Sequence, residues 1–185
     1  MGEQHKKYNR REHLNDFHLN VAGEYVYDGA LYAYQNDDAK QRRSKRAVWG
    51  MAAILTVAVA AGGCIPAPGM QNCFYVLLPY LGEFLGAASV IWALAKLGTD
   101  WSTVREYNYK KSVAVLPVRT AVTAVFSLLG IVCELIFFFV NDHAGQTFFA
   151  LLYVLLKLIA LLSVLVLRAE IMQAEWDKLP KKNNF

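Results

Sequence analysis

Four runs of apolar residues stand between charged segments along this chain. They cover about 47–63, 74–97, 117–140 and 147–167, each 17 to 24 residues long. At 1.5 Å rise per residue, such lengths cross or nearly cross the ~30 Å hydrocarbon core of a bilayer. The pattern predicts an all-α integral membrane protein, a four-transmembrane-helix bundle preceded by a cytosolic N-terminal segment. The fourth run, TFFALLYVLLKLIALLSVLVL, is interrupted only by Lys157. The first is rich in small residues (Ala52, Ala53, Ala58, Ala60, Ala61, Gly62 and Gly63), which suits close packing on other helices rather than lipid contact. The second carries the small pair Gly82 and Gly86. Pro66, Pro68 and Gly69 break the chain between the first two runs, and Pro117 suits the first turn of the third.

Outside the spans, the pattern divides the chain into a segment 1–46, a membrane domain 47–168, and a C-terminal helix extension and tail 169–185. Residues 1–22 read as a polar tail; His5, His13 and His18 there lack a metal-ligand spacing. In 24–34, Tyr- and Val-rich stretches flank Asp28-Gly29, a pair suited to a type I′ β-hairpin turn. That hairpin would set Tyr25 opposite Tyr32 and gather Tyr25, Tyr27, Tyr32 and Tyr34 on one face. The face would pack on membrane-proximal loops or offer a surface to a partner. Residues 98–117 read as a polar connection in which Asp100 caps a short interfacial helix. Beyond the fourth span, Arg168, Met172, Trp176 and Leu179 keep a helical spacing up to Pro180.

Charge supplies the orientation. The chain has 185 residues, 56% of them hydrophobic and 18% charged. Of its 19 Lys and Arg, nine precede residue 47, five lie between Lys96 and Arg119, and four follow from Arg168. Lys157 alone is inside an apolar run, and the connections 64–73 and 141–146 contain none. The positive-inside rule therefore places both termini in the cytoplasm, with the cell membrane the expected location. Basic blocks beside spans are explained by topology and anionic lipid, so the net charge of +4 implies no nucleic acid. Arg42, Arg43, Lys45 and Arg46 are the expected headgroup contacts. No apolar run backs the charged N-terminus, so no cleavable signal peptide is expected. Cys64 and Cys73, on the opposite face, are a candidate disulfide closing a short loop.

The interior charges are the main chemical feature. Glu83 lies nine residues in from Phe74, or about 13 Å, and Lys157 ten residues in from Thr147, or about 15 Å. Their depths match, which predicts a Glu83–Lys157 pair. Glu134 is six residues from Val140, about 9 Å deep on the outer side, and is the second acceptor. The cluster either fixes helix register or forms a proton or cation path.

No phosphate-binding glycine loop, zinc-protease helix or nucleophile elbow is present, so neither an enzyme nor a cofactor is expected. The residues favour a non-enzymatic accessory or scaffold subunit engaging anionic lipid, a membrane-protein partner or a second copy of itself. The alternative is an oligomeric small transporter or channel component using Glu83, Glu134 and Lys157. An outer-face thiol oxidoreductase ranks third, because the Cys-x-x-Cys motif of four-helix membrane oxidoreductases is absent.

Overall fold

The computed structural model describes residues 17–19, 23, 25–27, 29–35, 38–98, 100–141 and 147–179. His5, His13, Asp28, His143 and the tail after Leu179 lie outside the described residues. Helix α1 runs Asp38–Cys64, α2 Pro68–Asn72, α3 Phe74–Leu97, α4 Glu106–Lys111, α5 Leu116–Val140 and α6 Thr147–Met172. Four of these stretches are long and apolar enough to cross a membrane, so the protein is a small multi-pass membrane protein. Helix α1 extends well before the apolar run, because Lys40, Gln41, Arg42, Arg43 and Lys45 are good helix formers that propagate it outward. Gly98, at φ 73° and ψ −167°, ends α3 in a positive-φ conformation that glycine tolerates, with its N–H donating to the Leu94 carbonyl at 3.1 Å.

The buried positions of the long helices repeat every three or four residues. On α6 they are Ala150, Tyr153, Lys157, Ala160, Ser163, Val164, Leu167 and Ile171. On α5 they include Leu116, Thr120, Thr123, Ser127, Gly130, Glu134 and Phe137, and on α3 Val76, Glu83, Ala87, Val90, Leu94 and Leu97. A period near 3.5 is that of antiparallel helices packed knobs-into-holes at a shallow angle. Helix α1 lies along α6, α6 along α5 and α5 along α3, with a smaller α1–α3 contact closing the ring. The opposite faces expose Phe84, Leu85, Trp92, Val125, Leu128, Leu151, Leu155 and Leu162. Such a surface is a liability in water and the expected lipid-facing exterior in a bilayer. Close approach needs small residues at one crossing above all. A Cβ on Gly86 would come within 3.3 Å of the Thr123 backbone, so α3 and α5 touch there.

The strands form two small sheets at the basic end of the bundle. Strand β1 (Phe17–Leu19) pairs antiparallel with β2 (Tyr25–Tyr27). Strand β3 (Leu31–Tyr34) lies between β4 (Val104–Arg105) and β5 (Trp176–Leu179), antiparallel to both. This corrects the expected hairpin: Tyr25 pairs with Leu19 and Tyr32 with Val104 and Lys178, so β2 and β3 belong to different sheets. It also corrects the C-terminal helix, which stops at Met172 before the chain turns into β5. Both departures have one cause. Each aromatic residue buries more surface in a shared cluster than an isolated hairpin or an exposed helical turn allows. Tyr34 sits 5.8 Å from Trp101 and 5.7 Å from Trp176, ring centre to ring centre, and Tyr32 stacks on Tyr109 at 4.1 Å. Asp100 caps no helix. Its carboxylate accepts bonds from the Ser102 hydroxyl at 2.7 Å and amide at 3.0 Å, which hold it below the usual carboxylate range.

The sheet thus ties the N-terminal segment, the α3–α4 connection and the C-terminal segment to one hydrophobic cluster with Val48, Leu94, Leu116 and Leu167. Trp176→Ala should lower stability by roughly 2–3 kcal/mol, somewhat below a fully buried aromatic truncation because the indole is only half-buried. Thermal unfolding of the purified protein in detergent, followed by circular dichroism, measures it. An unchanged midpoint would mean that the cap is not coupled to the bundle.

Candidate functional site

Lys157 lies in the middle of α6, and the heptad spacing of its neighbours turns it inward rather than toward lipid. It is 3% exposed, while Glu83 and Glu134 are fully buried. The structure joins the Lys157 ammonium to Glu83 Oε2. Ser127 donates its hydroxyl to Glu83 Oε1 at 2.6 Å, so both oxygens of that carboxylate are occupied by donors from different helices. The ammonium also faces two aromatic rings, 4.7 Å from the Tyr80 centroid and 5.2 Å from that of Tyr153. Cation–π attraction of this kind is strongest where water is excluded. Gly130 lies beside the lysine, where a Cβ would be in ordinary contact with Nζ at 3.4 Å.

Glu134 stands apart from that network. Lys157 is close enough to attract it electrostatically, but neither of its carboxylate oxygens has a hydrogen-bond partner of acceptable geometry. The Gly69 N–H, near the start of α2, approaches the carboxylate without completing a well-formed hydrogen bond, and a Cβ on Gly69 would collide with Oε2. The hydroxyl of Tyr153 is likewise buried and unpartnered. Two unsatisfied groups therefore lie beside one satisfied ion pair.

The remaining candidates are dispersed. Cys64, Cys73 and Cys133 are free thiols, which corrects the expected disulfide. Cys64 is the last residue of α1 and Cys73 immediately precedes α3. Helix α2 intervenes, with the Cys73 N–H spent on the Gly69 carbonyl at 2.9 Å. Of the four tyrosines read as one face, Tyr34 is buried in the aromatic cluster and Tyr32 is half-buried on Tyr109, while Tyr25 is exposed. Tyr27 lies under the Arg105 guanidinium. Arg42, Arg43 and Arg46 are exposed on the basic end of α1; Lys45 is half-buried. A cleft of about 250 Å³ there is lined by Lys40, Arg43, Ser44, Glu170, Gln173 and Tyr34. No cluster of His, Cys, Asp and Glu suited to a metal occurs among the described residues.

Sequence reasoning missed Ser127, Tyr80, Tyr153 and Gly69. The first three share the inward stripes with Glu83 and Lys157, so a strict 3.5-residue register would have found them. Gly69 is placed by the fold of the 65–73 connection, which no periodicity describes.

Removing one member of the ion pair leaves a buried charge, costing about 3–5 kcal/mol, whereas removing both is nearly neutral. Glu83→Gln and Lys157→Met should each sharply reduce the monodisperse yield and melting temperature in detergent. The double variant should recover most of both. Simple additivity of the two losses would show that the residues do not act as a pair. For the cysteines, maleimide should label Cys64 and Cys73 in native protein without reductant, and labelling that requires reductant would indicate a bridge.

No family model matches the chain, and neither a curated protein nor a solved structure is significantly similar to it, so its function follows from its own residues.

Proposed function

We propose that this protein is a non-enzymatic accessory or scaffold subunit, resting its basic end against anionic lipid and presenting its bundle to a membrane partner. The observation that carries this reading is the closure of the Lys157 charge on Glu83, whose other carboxylate oxygen accepts from Ser127, within the packed core. A lysine committed to a structural pair serves helix register rather than passage. The cap supports the same reading, because it joins three distant chain segments into a platform at the basic end.

Arg42, Arg43 and Arg46 supply the lipid-facing charge. They project from α1 just before the apolar run, at the level where phosphate headgroups lie, and Arg43 also borders the 250 Å³ cleft. The rule that basic segments stay inside makes this end cytoplasmic, with both termini on that side. Tyr32 and Tyr34 are withdrawn from the partner surface, having been used to build the cap. Tyr25 remains available to a partner.

The test has two arms. In proteoliposomes the protein should support no ion flux above that of empty vesicles, at any imposed pH difference. A robust flux abolished by Glu83→Gln would overturn the scaffold reading. Replacing Arg42, Arg43 and Arg46 by glutamine should strip co-purifying anionic phospholipid, at about 1 kcal/mol per charge removed, as read by native mass spectrometry. Unchanged anionic lipid content would remove these residues from the lipid contact.

A further inference from the structure

Glu134 presents a charge problem that the ion pair does not solve. Two carboxylates and one ammonium lie within the same enclosed region, and Lys157 is hydrogen-bonded to Glu83 alone. With all three ionised, one negative charge is left without a counter-charge in a packed interior, where a lone ion is expensive. Buried polar atoms in folded proteins are nearly always satisfied, by protein, by water or by an ion. Here the Tyr153 hydroxyl has no partner, and neither Glu134 oxygen has a well-formed hydrogen bond, the Gly69 N–H approaching the carboxylate only at poor geometry.

We propose that Glu134 and Tyr153 form a reversible site for a single positive charge, either a proton or a small monovalent cation, beneath helix α2. The chemistry of the donors fits: a carboxylate and a phenol oxygen are hard ligands, suited to a proton or an alkali ion rather than to a soft metal. The neighbours fit as well. Glu134 faces Lys157 and Tyr153 on α6, Tyr75 on α3 and Gly69 on α2, with Cys133 beside it on its own helix, and Glu83 on α3 neighbours the same Tyr153 and Lys157. Lys157 is the one fixed cation in that set and is already committed. One added positive charge makes the cluster neutral; a divalent ion would overshoot.

Gly69 makes the site dependent on α2. A Cβ at that position would collide with the Glu134 carboxylate and come within 3.2 Å of the Phe137 ring. The short helix therefore covers Glu134 from the far end of the bundle, and small ligands must pass it or the adjoining connection. The proposal goes beyond the scaffold reading and does not depend on it, since a structural bundle can bind a proton or ion without transporting it.

The test uses wild-type protein in detergent and dicyclohexylcarbodiimide, which enters apolar regions and modifies protonated carboxyls. Peptide mass spectrometry should find the adduct on Glu134 at mildly acidic pH, with Glu83 spared by its pair with Lys157. Loss of the adduct on adding sodium, lithium or potassium at constant pH identifies a cation as occupant. Loss only on raising the pH identifies the proton. No adduct on Glu134 under any condition, equal modification of Glu83, or an adduct indifferent to both pH and salt would each overturn the site. Tyr153→Phe should shift the protecting cation concentration or proton activity about tenfold, the scale of one lost hydrogen bond to a charged group. An unmoved midpoint would overturn the assignment of Tyr153.

Discussion

An ammonium group in the middle of an apolar helix must find a counter-charge at its own depth, and the organisation of this bundle follows from that constraint. Lys157 projects from α6 and Glu83 from α3, helices that lie across the bundle from each other on either side of α5. Helix α5 adds Ser127 to the same carboxylate and passes the lysine stem at Gly130. The pairing thereby sets the relative rotation and height of three helices at once. Without it, the apolar stripes of α3 and α6 would tolerate neighbouring registers, because lipid tails are as apolar as the leucines themselves and give little preference.

The bundle handles its polar groups by layers. At mid-depth lies the ion pair, ringed by Tyr80 and Tyr153. Toward the far end, Glu134 sits under α2 with its oxygens unsatisfied. Toward the basic end, Thr120 and Thr123 return their hydroxyls to their own helix, at 2.9 Å to the Leu116 carbonyl and 2.8 Å to that of Arg119. Arg119 reaches across to the Ser89 carbonyl at 2.6 Å, and Arg168 to that of Pro117. Each arginine thus cross-links its helix to a neighbouring one through a charged donor. Beyond these cross-links the aromatic cap closes the structure.

Much of this was legible in the sequence. Apolar length located the spans, and the second is bounded where expected, at Phe74 and Leu97. The depth argument placed Lys157 opposite Glu83 because rise per residue is nearly constant in helices and charges must be matched in hydrocarbon. The cap was not legible. Strands of two to four residues carry little periodicity, and β3 chooses partners 70 and more residues away, which local turn chemistry at Asp28-Gly29 does not encode. Trp176 and Leu179 fit a helical spacing equally well, and only the aromatic pocket formed by Tyr34, Trp101 and Tyr109 decides for a strand. The cysteine pair misled for a related reason, since a Pro- and Gly-rich connection can hold a turn of helix instead of a tight loop.

The most direct measurement exchanges the two charges. Glu83→Lys and Lys157→Glu alone each place two like charges together in the core, and both single variants should fail to yield folded protein. Carrying both substitutions, the chain should fold again, with a melting temperature close to that of the wild type, because the pair is restored with its sense reversed. Folded, stable protein from either single exchange, or failure of the double exchange alongside a stable Glu83→Gln, would contradict the claim that the Lys157–Glu83 pair organises the bundle.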